Sequence, residues 1–158
     1  SLESAKYDLV TAFHVIEHLK NPRRILEELR DILAEKGTLI IEVPNSEDAL
    51  LTLYECRAFR KFTFWSQHLY YFSSSTLAML AKQAGLRITA IQQYQRYPLS
   101  NHMHWLSRGE PRGHICWKFL DTPALEEAYA RSLGAVGKCD TLIAWAKRDS
   151  DSSHGATD

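Results

Sequence analysis

Near the start of the chain, His14, Glu17 and His18 fall within the run HVIEH. If residues 15–19 make a helical turn, offsets of three and four bring these side chains to one face. Imidazole and carboxylate groups at that spacing can bind a divalent metal. The competing reading is that Glu17 and His18 cap and orient the loop, because buried polar groups find hydrogen-bond partners. His68 lies further on, in QHLYYFS. A histidine that is neutral near physiological pH can accept a proton from a hydroxyl or an activated carbon. It can equally be a structural residue bridging the aromatic loop around it. His102, His104 and His114 make a further histidine-rich stretch. Their spacing matches no ligand pattern, so unrelated surface histidines are expected.

These side chains need elements to position them, and Tyr7 to Val43 supplies those. Leu9 to Phe13 is a short apolar run suited to a strand buried on both faces. Asn21-Pro22 opens a helix, Asn capping free amides and Pro costing nothing at a position whose N–H is unpaired. Ile25, Leu26, Leu29, Ile32 and Leu33 form one apolar stripe, and Gly37 is expected to stop the helix. Thr38 to Val43 reads as a second buried strand closed by Pro44-Asn45. The order strand, helix, strand predicts a right-handed βαβ unit of a parallel sheet. Ligands bind beyond the carboxyl ends of such strands, where the loop with His14, Glu17 and His18 meets the loop that begins at Pro44.

On these residues a resemblance rests. FHVIEHLKNPRRILEELRDILAEKGTLIIEVPN resembles the fourth strand, following helix and fifth strand of class I S-adenosylmethionine-dependent methyltransferases. QHLYYFSSSTLAMLAKQAGL is similar to the substrate-side loop and next helix of the subgroup with ubiquinone-type O-methyltransferases and sugar C-methyltransferases. The resemblance implies a Rossmann-like α/β fold, a mixed sheet with helices on its faces, truncated so that the first three strands are lacking. It implies S-adenosylmethionine as cofactor, with Ala12, Phe13 and His14 flanking its methionine end, and a small-molecule methyl acceptor taking the methyl on O or C. It places His68 on the substrate side of the pocket, as the catalytic base. Some relatives carry Glu, Glu and His as metal ligands, and here His14 stands for the first Glu, which disfavours Mg²⁺ because that ion prefers oxygen. No G-x-G turn occurs, so the chain reads as the C-terminal part of such an enzyme, not competent alone. The rival reading is a noncatalytic α/β scaffold or binding module without the cofactor half.

The 158 residues suit one domain, expected over 1–148, with a disordered tail over 149–158. Lys+Arg and Asp+Glu are both 19, and this balance argues against nonspecific nucleic-acid or membrane binding. No signal-peptide pattern or membrane-spanning run is present. Cys56, Cys116 and Cys139 are scattered, so neither a disulfide framework nor a thiolate metal site is indicated, and a cytoplasmic location is the default. Residues 45–72 read as a long, irregular, aromatic-rich segment with a short helix around Leu50 to Tyr54, serving as a lid or as core. Ser74 or Ser75 is expected to cap a helix ending at Gly85. Leu86 to Tyr94 reads as a strand, Tyr97 to Lys118 as loop, Thr122-Pro123 as a helix start, and Asp140 to Lys147 as the last strand. A sheet lacking strands on one side exposes an edge, so self-association is expected.

Overall fold

Four strands make one mixed sheet in the order β1-β2-β4-β3. The coordinates are a computed structural model that describes residues 6–64 and 68–149. Strand β1 (Tyr7–Phe13) and β2 (Leu33–Pro44) pair in parallel, joined by helix α1 (Pro22–Ile32), which is the expected βαβ unit. Strand β4 (Thr141–Arg148) lies between β2 and β3 (Leu86–Tyr94), antiparallel to both. Asp149 of the expected tail is described, its amide donating to the Gly85 carbonyl at 3.0 Å; residues 150–158, and Trp65 in the aromatic segment, fall outside the described residues.

Local signals explain most element ends. Asn21 accepts the Arg24 amide at 3.1 Å and Pro22 occupies the first turn of α1. Helix α4 (Ser74–Gln83) begins one residue earlier than expected, because Ser73 accepts the Thr76 amide while the Thr76 hydroxyl accepts the Ser73 amide. That reciprocal pair satisfies two otherwise orphaned donors. Gly85 closes α4 at φ 72°, a left-handed conformation that costs Gly little. The core between sheet and helices is built from Leu26, Leu39, Ile41, Val43, Leu77, Ala81, Leu142 and Ala144.

Three expectations fail for physical reasons. Gly37 does not stop α1; the helix ends at Ile32, and Gly37 lies within β2, where a Cβ would sit 2.7 Å from the Tyr7 carbonyl oxygen. Strand β1 is not buried on both faces. Val10 and Ala12 pack into the core, whereas Leu9 and Phe13 are 58% and 50% exposed, because β1 is the outer strand of the sheet among the described residues. The 97–118 stretch is largely helical, with α5 (Leu99–Arg108) and α6 (Gly113–Cys116). In the aromatic segment α2 (Ala49–Thr52) falls where a short helix was expected, and α3 (Arg57–Phe64) adds a second. Helix α7 (Pro123–Ala135) opens at Thr122-Pro123 as expected and returns the chain to β4.

Candidate active site

A cavity of about 410 Å³ opens where the loops after β1, β2 and β3 meet. His14, Asn45, Asp48, Phe59, Phe62, His68, Tyr71, Arg96, Tyr97 and Asp140 contribute to its wall. It lies at the carboxyl ends of the parallel strands β1 and β2, where ligands of such sheets bind. Asn45 is buried and fixes the loop after β2, donating from Nδ2 to the Cys139 carbonyl at 2.8 Å and accepting the Glu47 amide on Oδ1 at 3.0 Å. Helix α3 brings Phe59 and Phe62 to the cavity, each packed on Trp105 with ring centroids 5.2 Å apart. Of the lid and the core expected of the aromatic segment, the structure shows Phe59 and Phe62 in the cavity wall and packed on Trp105, with no residue of α3 fully buried.

His14 leaves β1 at φ 51°. Its Nε2 lies 2.8 Å from Glu42 Oε1 and 2.6 Å from Arg96 Nη1, while Nδ1 is 3.3 Å from Glu17 Oε1. Ala12 is buried beneath it and Phe13 is half exposed beside it. Glu17 is fully buried, in a single 3-10 turn, Ile16–His18. Neither of its carboxylate oxygens accepts a hydrogen bond among the described residues. A buried carboxylate without such a partner is costly, and a cation at that place would offset it.

The expected trio of His14, Glu17 and His18 is thus only partly assembled as a ligand set. Among the described residues the group whose ligand atoms converge, all within 4.8 Å of one another, is Glu17, His18 and His68. His68 arrives from a distant loop, its ring centroid 4.7 Å from that of His18. Burial, and after it the neighbouring His18, holds the His68 imidazole below its usual range. The three later histidines do not gather: His102 Nδ1 lies 2.8 Å from the Tyr129 hydroxyl, and His104 donates from Nδ1 to the Glu110 carbonyl at 2.9 Å.

Two acidic residues at the cavity have no site role in the sequence reading. Asp48 caps α2, accepting the Leu50 amide on Oδ1 at 2.6 Å. Burial pushes its carboxyl up to about 7, with the Leu50 amide opposing the rise and Asp140 adding to it. Asp140 gathers the loop after β3, accepting the backbone amides of Arg96 and Tyr97, the Gln95 amide group and the Thr141 hydroxyl. Burial also raises its carboxyl. The only sequence signal for Asp48 was its place before a short apolar helix, which marks a cap and not a ligand.

Residues 2–91 match the family described as a methyltransferase domain. No curated protein matches the chain. Among solved structures, a methyltransferase in complex with the Trm112 methyltransferase activator of Haloferax volcanii aligns at TM-score 0.55 and 15% identity, over 97% of this chain and 57% of that one. A SAM-dependent methyltransferase from Archaeoglobus fulgidus aligns at 0.53 and 16%, over 93% and 63%. Another, from Thermotoga maritima, aligns at 0.52 and 21%, over 93% and 60%. At these identities the likeness shows the fold: a Rossmann-like α/β sheet flanked by helices. The chain spans roughly three fifths of the length of these structures.

Proposed function

The chain belongs to the methyltransferase domain family, and from that premise we propose that it forms the acceptor side of an S-adenosylmethionine-dependent methyltransferase of small molecules. The observation that carries this reading is the cavity at the carboxyl ends of β1 and β2, with His14 and His68 in one wall. Bound S-adenosylmethionine supplies an electrophilic methyl group on sulfur. The half-exposed Phe13 and the cavity-lining His14 fit the task of flanking its methionine end. Phe59, Phe62 and Tyr71 exclude water and orient the acceptor, which is most of what a transfer of this kind asks of a protein. His68 faces the cavity as a proton acceptor. The ubiquinone-type or sugar-methylating subgroup remains part of this proposal, carried by QHLYYFS alone.

A second role for His68 has its own observation, the fully buried Glu17 carboxylate without a hydrogen bond. Glu17, His18 and His68 would hold a divalent ion there, and two imidazoles with one carboxylate suit a transition metal better than Mg²⁺. Such an ion would polarise an acceptor oxygen or nitrogen.

S-adenosylhomocysteine titrated into the isotope-labelled chain tests the reading. Shifts centred on Phe13, His14 and the neighbouring Glu42 are expected, even at millimolar affinity. Shifts confined elsewhere, or none, would remove the cofactor from this edge of the sheet. Among the described residues no helix is long and apolar enough to cross a membrane.

A further inference from the structure

Asp48 is 4% exposed, yet it borders the cavity. One carboxylate oxygen is held by the Leu50 amide; the other accepts no hydrogen bond among the described residues. The neighbouring carboxyl, Asp140, is engaged by four donors and cannot serve as its partner. The cavity wall therefore includes a buried acidic residue with one oxygen open to a donor. The rings of Phe59, Phe62, Tyr71 and Tyr97 surround the same space. Carboxylate and aromatic faces together are the recognition chemistry of an organic ammonium group, attracted by the charge and by the ring quadrupoles.

The basic groups of the wall do not contradict this. Arg96 is directed at His14, its Nη1 2.6 Å from Nε2. The His14 ring is itself shared with Glu42 and Glu17. The positive charge of Arg96 is felt by Asp140, whose carboxyl it lowers, and Asp140 also accepts the Arg96 backbone amide. Burial leaves Asp48 holding its proton close to neutrality, Asp140 reinforcing the effect; the Tyr129 hydroxyl and the Cys139 thiol, both raised by burial, feel the same charge. A cation beside Asp48 would return it to the ionised form.

We propose that the methyl acceptor is an amine and that the unengaged oxygen of Asp48 receives one of its N–H groups. The proposal rests on the methyltransferase reading and, by placing the methyl on nitrogen, departs from the O- and C-methylating subgroup suggested by QHLYYFS. The amine enters as an ammonium ion and passes one proton to Asp48, which frees the nitrogen lone pair. The lone pair attacks the methyl carbon of the sulfonium donor. The N–C bond forms as the C–S bond breaks, and the bonding pair leaves on sulfur. The product departs as the methylated ammonium ion, and Asp48 returns its proton to water.

Benzylamine, benzyl alcohol and benzoate, titrated separately into the 158-residue chain, share a ring and differ in the group presented to Asp48. Ligand-detected NMR is expected to show saturable binding of benzylamine, weaker binding of the alcohol and none of benzoate. Asp48→Asn keeps the acceptor for the Leu50 amide and should weaken benzylamine at least about tenfold, the usual consequence of removing one partner from a buried charged pair. Benzoate binding as well as benzylamine, an unaffected Asp48→Asn variant, or no binding of any probe would each overturn the proposal. The probe order in the wild-type chain decides the matter even if Asp48→Asn fails to fold. S-adenosylhomocysteine shifts at Phe13 and His14 are read in the same samples. Their persistence without amine binding would remove only the amine; their absence alongside amine binding would remove the cofactor from this edge of the sheet.

Discussion

The backbone carbonyl of Glu17 accepts the Leu69 amide at 2.8 Å and also the Tyr70 amide at 3.1 Å. This stitches the turn after β1 to the loop carrying His68, two segments far apart in sequence. The main chain of Glu17 therefore sets the position of His68, while its side chain offers the carboxylate that His68 and His18 face. The arrangement is preorganised by backbone bonds, which do not depend on a bound ion.

Cobalt(II) binding separates the two roles open to His68. If Glu17, His18 and His68 hold a metal, visible absorption from the bound ion should appear in the wild-type chain and vanish in His18→Ala and in His68→Ala. His14→Ala should retain it, because His14 lies outside the converging group. In the whole protein, loss of a general base at His68 should reduce turnover by roughly a hundredfold or more. Added divalent ion should partly rescue His18→Ala in the metal case and should not rescue loss of a base. Turnover unchanged in His68→Ala would leave that loop as a packing element.

Strand β1 is expected to make the isolated chain self-associate. Its outer edge has no neighbour among the described residues, and Tyr7, Leu9 and Phe13 stand on a face no described helix covers. Unpaired strand edges and contiguous apolar faces recruit partners. Sedimentation should show mass rising with concentration, and Leu9→Lys should suppress it. A monomer at every concentration in the wild-type chain would show that β1 is not sticky.

The parts that were readable in sequence share a cause. From β1 to β2 the apolar positions repeat with the period of the element, and Asn21-Pro22 marks the start of α1 by its chemistry. Helix α5 was missed because its buried side consists of Ser100, Asn101, His102, His104 and Trp105, so no apolar stripe announces it. Its ends were nevertheless marked: Pro98 stands just before it, and Gly109 closes it at φ 73°. Gly in a left-handed conformation just past a run is a helix-end signature. Asp48 escaped notice for a different reason. A carboxylate becomes chemically unusual through burial, and burial of Asp48 depends on α3 and on the loop after β3, which no local pattern foretells.

Gly113 is where the insertion after β3 is most tightly packed. A Cβ there would meet the Ser100 carbonyl oxygen at 2.1 Å and Asn101 Cα at 2.5 Å, both backbone atoms that cannot swing aside. Gly113→Ala should therefore push α6 away from α5 and destabilise the chain by about 2 kcal/mol or more, in the range of overpacking. Gly134→Ala, whose nearest contacts are side-chain atoms at 3.8 Å, serves as the control and should be tolerated. Equal melting temperatures for the two variants would show that α6 docks loosely.

Stability should depend on pH in a way that Asp48→Asn exposes. In the folded chain the Asp48 carboxyl is raised from 3.8 to about 7. Between those values the folded state holds a proton that the unfolded chain has released, so stability from this group falls as pH rises through the window. Asp140 acts in the same direction. His102 acts in the opposite one: burial lowers it from 6.5 to about 4, so its contribution is complete above 6.5 and is lost as pH falls toward 4. In the wild-type chain the two trends oppose each other across their overlap. Asn at position 48 carries no charge and still accepts the Leu50 amide. The melting temperature of Asp48→Asn relative to wild type should therefore climb from about pH 4 to about pH 7 and level off above, at about 2–4 °C for each kcal/mol gained. In the variant the rise between pH 4 and 6.5 that His102 confers is opposed by Asp140 and no longer by Asp48. A difference that stays flat across the range, or that turns against the variant at high pH, would mean that Asp48 is ionised in the folded chain and already has a cationic partner.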